Sequence, residues 1–387
     1  MKIAILTSGV LPVPAVQGGA VENLIDFYLE YNEREQLHDI TVYSVAHPDT
    51  QRHPALQSKA NHYHYIDTES LMGKIRKHLF HRLHKQQEYY HYTIEYYLHE
   101  AIRHISRQHY DLIIIENRPA YALKLKKITN ARLVYHLHNE KLDNRSKYCQ
   151  EIYDAATRII TVSDYIASRV RTIQPHDTKC ITVHNGIDLQ AFSMKKELRD
   201  KEAGRPFTLV FSGRINREKG VMELIEAMNL LKGQGDIRLL IIGSSFYGNA
   251  NNDNPFADEL KARAADLQER ITFTGFVPYK QMPIYLSQVD VAVVPSVWDD
   301  PFPTTVLEAL AMGLPVIATR RGGIPEEVTP ETAILLDTDE HFVEHLASAI
   351  LDLYEHPEKR RAMSEAALEH ARLFDKERYA KEFFETL

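Results

Sequence analysis

The sequence has few of the residues that mark secreted, membrane-spanning or zinc-stabilised proteins. Only two of its 387 residues are cysteines, too few for a disulfide framework or a cysteine-based zinc site. It has no uninterrupted apolar run of the ~18 to 20 residues that a membrane helix needs. Residues 1–10 lead into a proline turn without a basic leader or a cleavage site. These absences predict a cytoplasmic protein.

The sequence also lacks a strong excess of positive charge. It has 46 basic and 53 acidic residues, giving a formal net charge of −7. Residues 1–190 carry 23 basic and 21 acidic side chains, whereas the remainder carries 23 and 32. This balance disfavours a nucleic acid as the partner of the whole chain, while leaving room for one local basic surface.

Short apolar, β-branched runs alternate with amphipathic stretches along the whole chain, a pattern typical of βαβ units around a parallel sheet. The first series of predicted strands lies at 2–7, 40–44, 111–116, 131–138, 157–163 and 180–184. The second lies at 207–213, 238–244, 271–275, 289–296, 314–319 and 333–336.

The two series predict an α/β protein with two doubly wound, Rossmann-like domains that face each other across a cleft, because 387 residues exceed the usual size of one core. We expect an N-terminal domain over 1–193 and a C-terminal domain over 207–369. Residues 194–206 are charged, without an apolar period, and are interpreted as the linker. Residues 370–387 are predicted to form a final helix that packs back toward the N-terminal domain.

The strongest chemical signal lies in the segment 295–319. A proline-rich turn after the strand leads into a helix predicted over 304–312, and helix N-termini bind phosphates. Asp300 and Glu308 flank this turn at a spacing of eight residues, where they can bind hydroxyls. The segment therefore suits a phosphate joined to polyols. The alternative for Glu308 is an ordinary solvated helix acid.

Two further loops follow strands and suit anions. Arg214 and Lys219 lie in the segment 211–220 and offer a planar fork and a point charge to a diphosphate; the alternative is two solvated cations. Gly18 and Gly19 open a helix after the first strand, where backbone can approach an anion. They lack the spacing of a dinucleotide fingerprint.

These motifs together resemble the retaining glycosyltransferases of family 4, which have the two-domain GT-B fold. The matching motifs cover almost the whole chain. They are the glycines at 18–19, HLHN at 136–139, SDYIASRV at 163–170, HNGID at 184–188, SGRINREKG at 212–220, FTGFVP at 273–278, VDVAVVPS at 289–296, DDPFPTTVLEA at 299–309 and GGIPEEV at 322–328.

The resemblance implies a role for each matching residue. Arg214 and Lys219 would bind the diphosphate of a nucleotide sugar, and Glu308 would bind the ribose hydroxyls as an anion. Asp300 would hold the donor sugar, and His138 would lie beside the reacting carbon. The remaining expected donor contacts are Gly18, Gly19, Gly213, Phe302, Pro303, Thr304 and Thr305.

The resemblance further implies a hexosyltransferase that uses a nucleotide diphosphate sugar, with a UDP-sugar favoured, and a glycan or lipid-linked acceptor. Neither a metal nor another cofactor is expected. Two residues depart from the family pattern: Asp300 stands in place of a glutamate, and Pro303 replaces a glycine and removes a backbone donor. These changes bear on the identity of the sugar more than on the reaction type.

Other functions remain open at this point. A nucleotide-sugar epimerase of the same fold would cleave the same bond, and a non-catalytic sugar-binding protein would share the two-lobed architecture. Glycoside hydrolysis by Asp300 and Glu308 would leave Arg214 and Lys219 without a role. Metal binding by the DTD sequence at 337–339 or by His78, His81 and His84 is disfavoured, because the first fits a helix cap and the second lacks acids.

The stretch from Lys74 to Lys85 is a basic amphipathic helix by its pattern. It has five lysines or arginines and no acid, and Leu71, Ile75, Leu79 and Leu83 form a stripe. The stripe either packs on its own domain or meets an anionic membrane, which would place the protein on the inner face of a membrane.

Overall fold

The computed structural model describes residues 1–84, 91–193, 205–244, 255–267 and 269–387. They form two compact units: Met1–His184 with Tyr379–Leu387 make the N-terminal unit, and Asn185–Arg378 make the C-terminal unit. Most of the predicted linker, residues 194–204, lies outside the described residues, as does Lys85.

The unit boundary differs from the predicted one at both crossings of the chain. Residues 185–193, expected in the N-terminal domain, belong to the C-terminal unit because long-range contacts tie them there. The Asn185 side chain donates a hydrogen bond to the Phe302 carbonyl, and the Lys376 ammonium pairs with Asp188 at 2.7 Å. Of the predicted final helix, residues 379–387 belong to the N-terminal unit and 370–378 to the C-terminal unit.

The N-terminal unit is built on a parallel sheet whose strand order is β3-β2-β1-β4-β5-β6-β7. Its strands are β1 Lys2–Leu6, β2 Asp39–Val45, β3 Asn61–Ile66, β4 Leu112–Glu116, β5 Arg132–Leu137, β6 Arg158–Thr161 and β7 Cys180–Thr182. Its helices are α1 Ala20–Glu35, α2 Leu71–His84, α3 Tyr92–Ile105, α4 Ala122–Leu125, α5 Cys149–Ala155 and α6 Asp164–Arg171.

The C-terminal unit repeats this architecture with the order β10-β9-β8-β11-β12-β13. Its strands are β8 Phe207–Ser212, β9 Ile237–Ile242, β10 Ile271–Gly275, β11 Val291–Val294, β12 Val316–Thr319 and β13 Ala333–Leu336. Its helices are α7 Val221–Leu230, α8 Pro255–Arg263, α9 Met282–Leu286, α10 Thr304–Ala311, α11 Ile324–Glu327, α12 Phe342–Glu355 and α13 Pro357–Ala371, and the last helix, α14 Lys376–Glu385, begins here.

The predicted α/β class with two Rossmann-like domains is confirmed, and each of the twelve predicted strands overlaps an observed one. Strand β3 was missed. Its sequence, NHYHYI, has no apolar β-branched run, because β3 lies at the edge of the sheet and several of its side chains are only half-buried. Strands buried on both faces, such as β4, carry the continuous apolar signal that the prediction relied on.

The core of the N-terminal unit combines its sheet, α1 and the end of α14. The Tyr28 ring of α1 stacks on the Phe383 ring, with centroids 4.3 Å apart and planes within 2°. Tyr379 and Phe383 are almost fully buried in the same cluster as Ile3, Leu24 and Tyr28. The last residues therefore complete a core that begins with the first strand.

Helix α2 has an exposed apolar stripe. Leu71 is 76% exposed, Ile75 53%, Leu79 56% and Leu83 71%. The interpretation that this stripe packs on its own domain is therefore wrong for the described structure. Among the described residues, no helix has both the length and the apolar content to cross a membrane.

Candidate functional site

The segment between β11 and α10 is fixed by backbone contacts in the C-terminal unit. Pro303 has an extended conformation and precedes the first helical residue, Thr304, so α10 begins close to its predicted start. Phe302 is buried, and its carbonyl accepts the hydrogen bond from Asn185 at 3.0 Å. Thr304 and Thr305 are half-buried in the first turn. The first-turn amides of a helix lack intrahelical acceptors and carry partial positive charge, which suits an anion.

Asp300 is held against the loop that follows β12. Gly323 donates its backbone N–H to the Asp300 carbonyl at 2.8 Å. Gly322 has φ +57°, and a Cβ atom there would lie 2.1 Å from the same carbonyl oxygen. Only glycine permits this approach, so the glycine pair of the GGIPEEV motif fixes the backbone of Asp300.

Lys219 and Asp300 form a largely buried ion pair. Lys219 ends a short 3₁₀ turn, Arg217–Lys219, and its ammonium binds the Asp300 carboxylate, with side-chain exposures of 16% and 6%. The ammonium also lies 5.6 Å from the centre of the Trp298 ring. The structure thus brings the expected phosphate-binding cation and the expected sugar-binding acid into direct contact, which the sequence did not predict.

Arg214 and Gly213 lie in the loop after β8. The Gly213 N–H donates to the Ile242 carbonyl and the Ile215 N–H to the Ser244 carbonyl, each at 3.0 Å. The backbone on both sides of Arg214 is therefore anchored to the end of β9. The Arg214 side chain is exposed, as expected for a residue that binds a ligand from a loop.

Glu308 lies one turn after Thr304 on α10 and is 5% exposed. Burial raises its pKa to about 8, although a hydrogen bond with Thr304 opposes the shift. The resemblance implies an anion at this position. The structure instead has a carboxyl group that is mostly protonated at pH 7, because the cost of desolvating the charge exceeds the help from Thr304.

Glu327 is a buried acid of the GGIPEEV motif, and no role was predicted for it from the sequence. Among the described residues, neither of its carboxyl oxygens has a hydrogen-bond partner. Burial raises its pKa well above the ordinary value, the charge of Asp300 adds to the effect, and Lys219 opposes it. An acid four residues beyond a glycine pair at a strand end was the available signal.

In the N-terminal unit, the expected glycines lie immediately before α1. Gly19 has φ +109°, and a Cβ there would lie 2.2 Å from Glu22 Oε2. Glu22 is buried in the first turn of α1, where burial raises its pKa to about 7. Gly18 also has a positive φ, of +77°. The role of Glu22 was not predicted from the sequence.

His138 lies just beyond β5 in a cluster with Glu116 and His136. Its Nε2 atom is 3.1 Å from Glu116 Oε2, and the His136 Nδ1 atom is 3.0 Å from the same oxygen. Burial lowers the pKa of His138 to about 4, and His136 adds to the effect. Within the described residues, neither the DTD sequence nor His78, His81 and His84 belongs to a cluster of possible metal ligands.

Two family models match the chain in sequence order. The model described as Glycosyltransferase Family 4 matches residues 21–191, and the model described as Glycosyl transferases group 1 matches residues 194–370. Together they cover most of both units of the structure.

Two curated relatives match over most of their length. Spore coat protein SA of Bacillus subtilis is 29% identical over 378 residues, which cover 93% of this chain and 92% of the relative. The putative glycosyltransferase YtcC of the same organism is 28% identical over 87% of this chain and 80% of its own. The solved structure of Anabaena Alr3699/HepE in complex with UDP and glucose has the same fold, with a TM-score of 0.74 at 20% identity over 100% of this chain and 99% of that chain.

The buried state of Glu308 predicts a specific pH dependence of stability. The folded chain keeps this proton up to a pKa of about 8, whereas the unfolded chain loses it near 4.5. The stability linked to this proton is therefore complete below pH 4.5 and is lost as pH rises through 8. Glu308→Gln cannot titrate, so its melting temperature should rise relative to the native protein by roughly 5 °C or more between pH 5 and 8.5.

The measurement is thermal unfolding of both proteins across that pH range. Glu344→Gln is the matched control, because Glu344 is an exposed glutamate on α12. The difference between its melting temperature and that of the native protein should not change with pH. If the melting temperature of Glu308→Gln also differed from that of the native protein by the same amount at every pH in this range, Glu308 would be shown to be ionised in the folded protein.

Proposed function

Because the chain belongs to the family 4 glycosyltransferases and has their GT-B fold, we propose that it transfers a hexose from a nucleotide diphosphate sugar with retention of configuration. The acceptor is a glycan or a lipid-linked glycan in the synthesis of a surface polysaccharide or glycoconjugate. We favour a UDP-sugar as donor. The Anabaena protein of this fold, solved with UDP and glucose, supports that choice.

The observation that carries the proposal is the grouping of charge at the start of α10. In our proposal, the diphosphate binds between the first-turn amides of Thr304 and Thr305 and the side chains of Arg214 and Lys219. The buried pairing of Lys219 with Asp300 supports this assignment, because it holds the ammonium in place before the ligand arrives. A diphosphate then competes with Asp300 for Lys219, and Asp300 is released to bind sugar hydroxyls.

The proposed reaction depends on stabilising the leaving diphosphate. Negative charge builds on it as the glycosidic bond breaks, and fixed cations and helix amides stabilise that charge without reorganisation. Glu308 contacts the ribose, while Gly213 and the backbone of 302–305 contact the phosphate and the sugar. We assign no covalent nucleophile. The departing phosphate accepts the proton of the acceptor hydroxyl on the same face of the sugar.

We propose that His138, in the N-terminal unit, lies beside the reacting carbon of the donor, and that Gly18 and Gly19 lie near its phosphate. The neutral state of His138 supports this role, because a neutral imidazole can accept a hydrogen bond from a sugar hydroxyl.

The donor and the reaction class are tested together. Thermal shift with UDP, GDP, ADP and dTDP identifies the base, and UDP is expected to give the largest shift. Incubation of the matching sugar nucleotide with glycan acceptors should then yield an extended glycan with the anomeric configuration of the donor. Release of an epimerised sugar without glycan extension would instead identify an epimerase, and binding without turnover would identify a sugar-binding protein.

Arg214→Ala should lower turnover by about 10²-fold, as for other lost transition-state donors, with an unchanged melting temperature because Arg214 is exposed. Arg217→Ala is the matched control, since Arg217 is an exposed arginine of the same loop that binds Glu259. Steady-state kinetics and thermal unfolding of both variants provide the test. Equal turnover in Arg214→Ala and Arg217→Ala would contradict the diphosphate site.

Lys219→Ala tests the diphosphate site less directly than Arg214→Ala, because it is expected to change stability as well as turnover. It should lower turnover comparably, but it leaves the Asp300 carboxylate buried without its cation. Breaking such a pair costs about 3 to 5 kcal/mol of stability.

Turnover should survive chelation, because we propose that cations and amides replace a metal at the diphosphate. The measurement is turnover before and after exhaustive EDTA treatment, with magnesium or manganese added back. Loss of turnover that either metal restores would overturn this part of the proposal.

We also propose that α2 attaches the protein to an anionic membrane surface, on the inner face. The exposed stripe of Leu71, Ile75, Leu79 and Leu83 supports this, as do the exposed side chains of Lys74, Arg76 and Arg82. Lys77 was also predicted to be a membrane-facing cation of α2. Its side chain is instead buried, and its ammonium pairs with Glu69 at 3.0 Å. Each exposed cation near an anionic leaflet contributes about 1 kcal/mol.

Replacing Lys74, Arg76 and Arg82 by Gln should weaken sedimentation with anionic vesicles by roughly 100-fold, following about 1 kcal/mol per cation. Neutral vesicles should bind the native chain poorly, and added salt should release it from anionic ones. A control that replaces Lys232, Arg238 and Lys261 by Gln loses the same charge from exposed sites of the C-terminal unit. Equal binding of the two triple variants would refute membrane attachment by α2.

A further inference from the structure

The side chains at the ends of β4 and β5 form a buried hydrogen-bonded cluster. Glu116 is paired in register with His136, so both side chains lie on the same face of the sheet. His138 follows two residues later. Glu116 and His136 are fully buried, and the His138 side chain is 6% exposed. Glu116 is not among the residues predicted from the sequence to be catalytic.

We propose that Glu116 is the positioning residue for His138. Its carboxylate holds the imidazole as the tautomer with the proton on Nε2, which leaves Nδ1 as the hydrogen-bond acceptor. This inference rests on the proposed function, in which His138 lies beside the reacting carbon.

The cluster places three donor groups around the two carboxylate oxygens of Glu116. Glu116 Oε2 lies 3.0 Å from His136 Nδ1 and 3.1 Å from His138 Nε2. Glu116 Oε1 accepts a hydrogen bond from the Tyr28 hydroxyl at 2.8 Å. An ionised carboxylate can only accept hydrogen bonds, so the imidazole nitrogen that faces it carries the proton.

The charge states support this arrangement. Burial alone would raise the pKa of Glu116, but the charge and hydrogen bonds of His136 and His138 outweigh it and hold the pKa at about 2. The pKa of His138 is lowered to about 4. At pH 7 a neutral His138 therefore faces an ionised Glu116, and a neutral imidazole has one donor and one acceptor nitrogen.

His136 Nδ1 lies 3.2 Å from His138 Nε2, but it faces the same Glu116 carboxylate at 3.0 Å, where it acts as a donor and leaves the carboxylate as the acceptor for His138. From α1, Tyr28 donates to the other carboxylate oxygen, and the charge of Glu116 adds to burial in raising the pKa of Glu22. From α14, Tyr379 lies in the same core, and the Phe383 ring centroid is 5.1 Å from that of His136. These neighbours fix Glu116 while leaving its second oxygen for the histidines.

The next residue, Asn117, holds the backbone of the same segment. Its Oδ1 atom accepts the N–H of His138 at 3.1 Å and the side-chain amide of Asn139 at 2.7 Å. Asn117 itself has φ +58°, a left-handed conformation that asparagine adopts more readily than most residues. The dipeptide 116–117 at the end of β4 thus fixes both the side chain and the backbone of His138.

The same three side chains are also a possible metal-ligand set, and their ligand atoms lie within 4.8 Å of one another. Their separations favour hydrogen bonds. The distances from Glu116 Oε2 are 3.0 and 3.1 Å, and the two histidine nitrogens are 3.2 Å apart. Tetrahedral zinc at ~2.0 to 2.1 Å from each ligand spaces the ligand atoms roughly 3.3 to 3.4 Å apart.

The test is Glu116→Gln in the full chain, which keeps the size of the side chain and removes its charge. Nitrogen-15 NMR of histidine-labelled protein reports the tautomer of each imidazole, and the His138 signals are assigned by their loss in His138→Ala. The native protein should show His138 protonated on Nε2 at pH 7. Glu116→Gln should shift His138 toward a mixture of tautomers and lower kcat by about 10²-fold, as for other misplaced transition-state contacts.

Two controls separate positioning from a general loss of structure. Asp143→Asn removes another buried carboxylate of the N-terminal unit, one that binds Arg145 and Arg169, and should leave the His138 tautomer unchanged. Thermal shift with the nucleotide should be unchanged in Glu116→Gln, because all the side chains proposed to bind the nucleotide lie in the C-terminal unit and Gly18 and Gly19 contribute backbone alone.

The outcomes distinguish this inference from the proposed function. A native tautomer and native kcat in Glu116→Gln, together with an inactive His138→Ala, would overturn the role of Glu116 alone. Full activity of His138→Ala would remove His138 from the proposed site. A zinc or other divalent ion found in metal analysis of the purified native protein and absent from Glu116→Gln would replace positioning by metal binding.

Discussion

The parallel pairing of every strand in both sheets determines where chemistry can occur in this protein. In a parallel sheet all carboxyl ends lie at one edge, so polar residues that follow successive strands meet there although they are distant in sequence. In the N-terminal unit this brings Glu116 next to His136 and His138. In the C-terminal unit it brings Lys219, which follows β8, to Asp300, which follows β11, its neighbour in the sheet. The helices then decide which of these side chains are buried.

Local patterns predicted most of the fold and the residues at the strand ends. The buried strands have continuous apolar runs, and the start of α10 is marked by Pro303, so both were found from sequence. Strand β3 was missed because an edge strand needs no such run. The unit boundary was displaced because Asn185 and Asp188 are held by contacts more than 100 residues away, which no local pattern contains.

The ionisation of the site was the least predictable property. Burial decides it, and burial depends on the whole fold. Glu308 is an acid on an amphipathic helix by its pattern, yet its environment raises the pKa to about 8. Glu116 is equally buried but remains ionised, because two histidines and Tyr28 surround it with donors. The two glutamates therefore differ by their partners rather than by their depth, and such partners become visible only in three dimensions.

The return of residues 379–387 to the first unit has a consequence for synthesis. Tyr379 and Phe383 fill the core against Tyr28, but the ribosome adds them after every residue of the second unit. While the chain is being made, the N-terminal sheet exists without part of its apolar cover. The C-terminal unit, which is continuous in sequence, can close its core first. The unit that is translated first is therefore the last to be completed.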